Sequence, residues 1–248
     1  MRDGLYREVP PAPELAAHIR CLWYRRIGPD EALRPVRIVP DGCMDLMWQD
    51  GRLLVAGPDT TALVTDLPAG TEFVGLRFQP GAAPPLLGVP ASELVDARPD
   101  AAAVWGRRAA DLAVRLEAVR SPAKVAAVLQ DAVRARLADA PALDPVVQHL
   151  VASLQRGQAV RIDRLAEEVG ISGRQLHRQC RSALGYGPKT FAGIARFQRF
   201  LAAARRPGRC RLAEAAIRSG YADQPHLTRE VRRLAGLSPA RLVAELAG

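Results

Sequence analysis

Ser172-Gly173-Arg174-Gln175-Leu176-His177-Arg178-Gln179-Cys180-Arg181-Ser182-Ala183-Leu184-Gly185 decides the fold, because its pattern is written again at Asp223-Gln224-Pro225-His226-Leu227-Thr228-Arg229-Glu230-Val231-Arg232-Arg233-Leu234-Ala235-Gly236. Each stretch opens on a residue that caps helices, Ser172 or Asp223, and closes on glycine, with Pro188 or Pro239 following at the same distance. Leu176, Cys180 and Leu184 fall at helical spacing, as do Leu227, Val231 and Leu234. A short amphipathic segment precedes each copy, and the reading pairs Leu165-Ala166-Glu167 and Gly170 with Leu212-Ala213-Glu214 and Gly220. Helix, tight turn and capped second helix are the order of a helix-turn-helix.

The face opposite the apolar stripe carries Arg174, His177, Arg178 and Arg181 in the first copy. The second copy carries Gln224, His226, Arg229, Arg232 and Arg233. Arginine forks onto guanine O6 and N7 and glutamine pairs with adenine, so donors near a helix N-terminus suit base edges in a major groove. Arginines further along suit phosphate. The connecting helix expected from Pro188 to Arg205 spans roughly 27 Å at about 1.5 Å per residue, against roughly 34 Å between successive major-groove faces.

Working outward, charge follows the same division. From Asp144 to Gly248 there are 18 basic and 8 acidic residues, whereas Met1 to Leu143 holds 17 and 18. The whole chain's net charge of +9 therefore belongs to the C-terminal part, which points to a polyanion partner. The four cysteines, Cys21, Cys43, Cys180 and Cys210, form no paired spacing, so neither a disulfide framework nor a zinc site is expected. No apolar run reaches membrane-spanning length, and a cytoplasmic protein without membrane partner is expected.

Upstream, short apolar runs alternate with Gly, Pro and Asp from Leu5 to Phe78, with Asp50-Gly51 as a hairpin turn. Such spacing suggests a small antiparallel sandwich or barrel. Residues 99–137 switch to helical period through Leu112, Leu116 and Val119, then Val125, Val128, Leu129, Ala132, Val133 and Leu137, with Ser121-Pro122 between. This pair is read as a homodimer contact, or as a cover for the sheet. Residues 138–145, rich in Ala and Pro, read as a linker.

Candidate ligand contacts in the first half are Trp23, Asp41, Cys43, Asp45, Trp48 and Arg77. Trp23, Tyr24, Trp48 and Phe73 suit either a pocket or an ordinary core. Asp41 in Pro40-Asp41-Gly42 suits a turn that bonds its own backbone. Arg77 suits an anionic ligand or a pair with Asp41 or Asp45. Carboxylates flanking Cys43 raise its pKa and work against a reactive thiol. With His18 the only histidine of the strand region, no metal, and no cofactor, is expected, and no catalytic set of nucleophile, base and orienting group is visible.

Gly220-Tyr221-Ala222-Asp223-Gln224-Pro225-His226-Leu227-Thr228-Arg229-Glu230-Val231, closing with Gly236-Leu237-Ser238-Pro239, resembles the signature of AraC/XylS-family bacterial transcription regulators. Leu227, Val231 and Cys180 stand where that family has phenylalanine, so a looser core is expected, and Pro225 is unusual there. The resemblance implies base-facing residues at Arg174, His177 and Arg178, then at Gln224, His226 and Arg229, with double-stranded DNA and RNA polymerase as partners. More weakly, Val39-Pro40-Asp41-Gly42-Cys43-Met44-Asp45-Leu46 and Gly75-Leu76-Arg77-Phe78-Gln79-Pro80-Gly81-Ala82 resemble motifs of a sensor domain fused to this type. The expected class is thus α+β. A small β-barrel or cupin-like sensor over 1–98 and a helical pair over 99–137 precede the linker. An all-α DNA-binding domain of two helix-turn-helix motifs joined by a long helix fills 146–248. The expected function is sequence-specific transcription regulation under a small-molecule effector or dimerisation. Its rivals are a DNA-binding protein with a reactive-cysteine or catalytic N-terminal module, and one with a protein-interaction module that binds no ligand.

Overall fold

Alternation of apolar and polar residues between Leu5 and Phe78 folds into strands in the computed structural model, which describes residues 5–30, 32, 35–158, 160–205 and 211–247. These strands are β1 (Leu5–Val9), β2 (Ile19–Arg26), β3 (Val36–Ile38), β4 (Asp45–Gln49), β5 (Arg52–Ala56), β6 (Leu63–Thr65) and β7 (Glu72–Phe78). Five form an antiparallel sheet in the order β1-β2-β7-β4-β5, and β3 pairs with β6 in a separate ribbon. Asp50 (φ 47°) and Gly51 (φ 82°) turn β4 into β5, the pair of left-handed residues that a tight hairpin requires.

Register sets what each face buries. Leu22 of β2 lies opposite Leu76 of β7, and Leu76 opposite Leu46 of β4. All three sink into a core closed by α3 (Arg107–Glu117) and α4 (Pro122–Leu137). The expected barrel is not closed by backbone pairing: β1 and β5 are the two edges of the described sheet. Burial explains the difference, since helices laid on one face remove the apolar side chains from water without a strand returning to seal a ring.

Those helices are held by the sheet's own core. Leu112, Leu116, Val125, Leu129 and Val133 belong to the same core as the sheet residues, so residues 1–98 and 99–137 share one interior. Covering the sheet, the other reading of that pair, is where the apolar face goes. The stretch after residue 99 is also broken, into α2 (Ala101–Trp105) and α3, at Gly106, whose φ of 57° no helix tolerates.

The C-terminal helices are α5 (Pro145–Gln155), α6 (Ile162–Glu168), α7 (Gly173–Leu184), α8 (Pro188–Ala204), α9 (Leu212–Arg218), α10 (Gln224–Ala235) and α11 (Pro239–Ala247), with α1 (Ala83–Leu87) in the first half. Helices α7 and α10 begin on side-chain caps and end on left-handed glycines alike, but the helices before them pair differently from the sequence match. Leu165 and Ala166 are the buried residues of α6, and Ala215 and Ala216 those of α9, so Leu165 corresponds to Ala215 and not to Leu212. Ile171 N donates to Ala166 O and Tyr221 N to Ala216 O, both at 2.9 Å, the same closing bond after each helix. The second turn then holds one residue more before its capping residue. Leu-Ala-Glu is a common helix trio, and its recurrence is coincidental to the packing.

Leu129 is fully buried between α4 and the sheet. Leu129→Ala is expected to lower unfolding stability by about 2–5 kcal/mol, measured by urea denaturation.

Candidate nucleic-acid interface

Helix α7 starts because Ser172 Oγ accepts from Gln175 N at 3.2 Å while Gln175 Oε1 accepts from Ser172 N at 2.9 Å. It stops at Gly185, which is left-handed at φ 88°. Leu176, Cys180 and Leu184 face inward, and burial pushes the Cys180 thiol up to about 12. Arg174, His177, Arg178 and Arg181 are all exposed. Helix α10 starts where Asp223 Oδ1 accepts from His226 N at 2.6 Å, and it stops at left-handed Gly236. Leu227, Val231 and Leu234 are buried, and Gln224, Arg229, Arg232 and Arg233 are exposed.

The two surfaces correspond at Arg178 with Arg229 and at Arg181 with Arg232, counting from the cap of each helix. These four and Arg174 make no ion pair with any described residue, whereas Arg233 is paired with Glu230 at 3.2 Å. His226 is placed differently from its neighbours. It occupies the third helical position, as Gln175 does, and turns back: Nδ1 accepts from Ala222 N at 3.4 Å, and its ring stands edge-on to Tyr221 at 5.3 Å. It is half-buried and partly committed to holding the turn. Its resemblance to Gln175 was available in the spacing from each cap. His177 lies against Gly187, where a Cβ would come within 2.5 Å of its Nε2.

The core under these helices is filled from α8. Phe191, Phe197 and Phe200 are buried in one cluster with Leu176, Cys180, Leu227 and Val231. Aromatic bulk on the connecting helix thus stands beside the smaller residues of α7 and α10, a feature the sequence reading did not weigh.

The N-terminal candidates separate into two sets. Trp23 lies opposite Gly75 and Trp48 opposite Val74, and successive residues of β7 face opposite ways. Trp23 therefore stacks near Phe73 (6.4 Å between centroids) on one face, while Trp48 packs on the helix-covered face. They line no common pocket. Asp41, Cys43, Asp45 and Arg77 do come together. Arg77 Nε and one terminal nitrogen each donate to Asp45 at 2.9 Å, and its other terminal nitrogen sits 3.2 Å from Asp41. Burial pushes the Asp45 carboxyl up, and the Arg77 guanidinium pulls the other way. Burial alone would lower the Arg77 pKa, but the two carboxylates outweigh it.

Asp41 also accepts from Cys43 N at 2.9 Å, the self-bonded turn. Cys43 is buried, and burial, then the Asp41 charge, raises its thiol well above the ordinary range. The exposed, acidified thiol required by a reactive-cysteine module is not what this site provides. Cys210 lies outside the described residues. A shallow recess of about 450 Å³, lined by Val89, Glu93, Leu94 and Arg98 among others, lies apart from all six candidates. Among the described residues no group of His, Cys, Asp and Glu could hold a metal, and no helix is long and apolar enough to cross a membrane.

Both exposed helices rest their C-terminal ends on the N-terminal half. Ala62 N donates to Leu234 O at 2.7 Å, and Arg37 donates to Ala235 O at 2.8 Å and to Glu245 at 3.0 Å. Beyond α7, Gly185 packs against Pro58 and Val95. Gln198 of α8 donates to Pro40 O at 2.6 Å. The N-terminal halves of α7 and α10, with their arginines, stay open.

With this geometry in place, the comparisons are specific about one segment. Residues 165–245 match a family described as "Helix-turn-helix domain", and residues 7–100 match a domain of unknown function, DUF6597. Curated proteins give no match. Among solved structures, a probable AraC family transcriptional regulator from Rhodopseudomonas palustris CGA009 is similar at 22% identity and a TM-score of 0.35, over 41% of this chain and 97% of that one. ToxT from Vibrio cholerae O395 is similar at 8% identity and a TM-score of 0.46, over 91% and 97%. Similarity this low supports neither a shared domain arrangement nor a shared ligand. Residues 165–245 form a DNA-binding helix-turn-helix domain. The chain is a DNA-binding transcription regulator.

Arg77→Met is expected to cost about 3–5 kcal/mol, because it leaves Asp45 buried without its partner. The stranded carboxyl has a folded pKa above its unfolded one. Its contribution is therefore present at low pH and lost as pH rises through the folded value, so the deficit is smaller at about pH 5 than at about pH 8. Denaturant midpoints at the two pH values check this.

Proposed function

We propose that the protein reads DNA at two sites on one duplex, placing α7 and α10 in successive major-groove faces, and that the N-terminal domain controls this binding. One observation carries the reading: two capped helices of one domain present exposed arginines, Arg178 and Arg181 on one and Arg229 and Arg232 on the other, at matching distances from their caps and without an ion pair among the described residues. An isolated basic surface needs no such match. Arg174, His177 and Arg178, with Gln224 and Arg229, face bases. Arg181 and Arg232 lie further along and contact phosphate. His226 holds its turn and presents only its outer edge. RNA polymerase enters as a partner by family resemblance.

Control through the N-terminal domain is supported by the contacts of Arg37 and Ala62 with the end of α10 and of Pro58 and Val95 with the residue ending α7. A change in that domain, by a small-molecule effector or by dimerisation, would reach both helices through their fixed ends. A second reading, in which the domain binds a protein partner, is favoured by edge strand β1, which exposes Leu5, Tyr6 and Val9.

With about six to eight phosphate contacts, log affinity should fall against log salt with a slope of about −5 to −7. A near-flat slope in a salt titration of operator binding would sink the proposed interface. Arg229→Ala should cost about 1–3 kcal/mol on the selected operator and relax preference at one base pair. Equal losses on every sequence would make Arg229 a phosphate contact.

A further inference from the structure

Arg199 sits on α8, between the two helix-turn-helix units, and its guanidinium is shared by both. One terminal nitrogen donates to Leu154 O, in the last turn of α5. The other terminal nitrogen and Nε donate to Ser219 O, at the end of α9, at 3.1 and 3.3 Å. These carbonyls sit at the negative ends of two helices, one packed against each reading helix, so a single cation satisfies both. The turns that follow these two helices run close to it. Gly157 and Gly220 are left-handed, at φ 80° and 85°. A Cβ added at Gly157 would stand 3.5 Å from Arg199 Nε, and one at Gly220 would stand 3.3 Å from a terminal nitrogen. No carboxylate pairs with Arg199 among the described residues.

We propose that Arg199 is a positioning residue for two-site DNA binding: by bridging Leu154 O and Ser219 O it locks the two units in one relative orientation, so that α7 and α10 meet the duplex together. This rests on the two-site reading above. A helix alone does not fix that orientation, because a unit can pivot on the apolar side chains of α8. Directional hydrogen bonds to backbone on both sides resist the pivot, since a guanidinium holds its donors in one plane. Arg199 touches no DNA in this arrangement. Its effect is on the gain in affinity that the second site adds to the first, which depends on how well the linked units are held in register.

The test uses the full chain and a duplex recovered by selection from random sequence with the wild-type protein, together with two duplexes in which one or the other half is scrambled. Wild type, Arg199→Gln and Arg199→Lys are compared, with folding followed by circular dichroism and thermal melting. Lysine keeps the charge and the stem but reaches only one carbonyl at a time. In the wild type the intact duplex should bind at least about tenfold tighter than either half. Both variants should bind the half duplexes within about twofold of wild type and lose most of that gain. They should also tolerate one inserted base pair between the halves better than the wild type does. If the variants melt lower but keep the full gain and the wild-type spacing preference, Arg199 is only structural and the proposal falls. If glutamine prevents folding, the lysine variant decides by the same ratio. A wild type that gains nothing from the second half overturns the two-site reading itself, an outcome distinct from a gain that survives in the variants.

Discussion

The C-terminal domain depends on the burial of one face of α8 into the two units that flank it. Phe191, Ile194, Phe197, Phe200 and Leu201 belong to a cluster that also contains the stripes of α7 and α10. The first helices of the two units, α6 and α9, each bury only two residues, three of the four alanine, so much of the interior comes from α8, with α5 adding to the first unit. The connecting helix is therefore the common interior of both, and the exposed arginines are what remains once the apolar stripes of α7 and α10 have turned toward it. Placement of charge here is a consequence of packing. The arginines face outward because the leucines, Cys180 and Val231 cannot.

The N-terminal half uses the same logic with a sheet. One face is covered by α3 and α4, while the other carries Trp23, Phe73 and the Arg77 cluster. Bonding Arg77 to Asp45 and Asp41 removes an apparent anion site, since its fork of donors is already occupied. The cluster lies at the boundary with the helical domain, where Gly42 meets Phe191 and Pro40 O receives Gln198. Its electrostatics thus support the turn on which the DNA-binding half is seated.

Much of this was legible in the residues. Helix limits from Pro145 to Gly236 followed from caps, glycines and prolines, which act locally and leave a mark at each end. The Asp50-Gly51 hairpin and most strands were legible for the same reason, and the basic faces of α7 and α10 followed once the stripe was known. The first helices of the repeat were misaligned, because Leu212 and Leu165 look equivalent as letters while burial equates Leu165 with Ala215. What the apolar face of α3 and α4 would meet stayed open for a related reason. An amphipathic face announces that it will be covered, but not by what.

Local chemistry in the chain determined where helices begin and end, which of their faces are apolar, and that two basic helices recur. Tertiary structure alone decided that α3 and α4 cover the sheet, that the sheet stays open, that Arg77 is spent on Asp41 and Asp45, and that Arg199 joins Leu154 to Ser219. The physical reason is separation along the chain. A cap or a left-handed glycine acts over three or four residues, whereas a guanidinium or a buried leucine finds its partner only after segments far apart in sequence have packed.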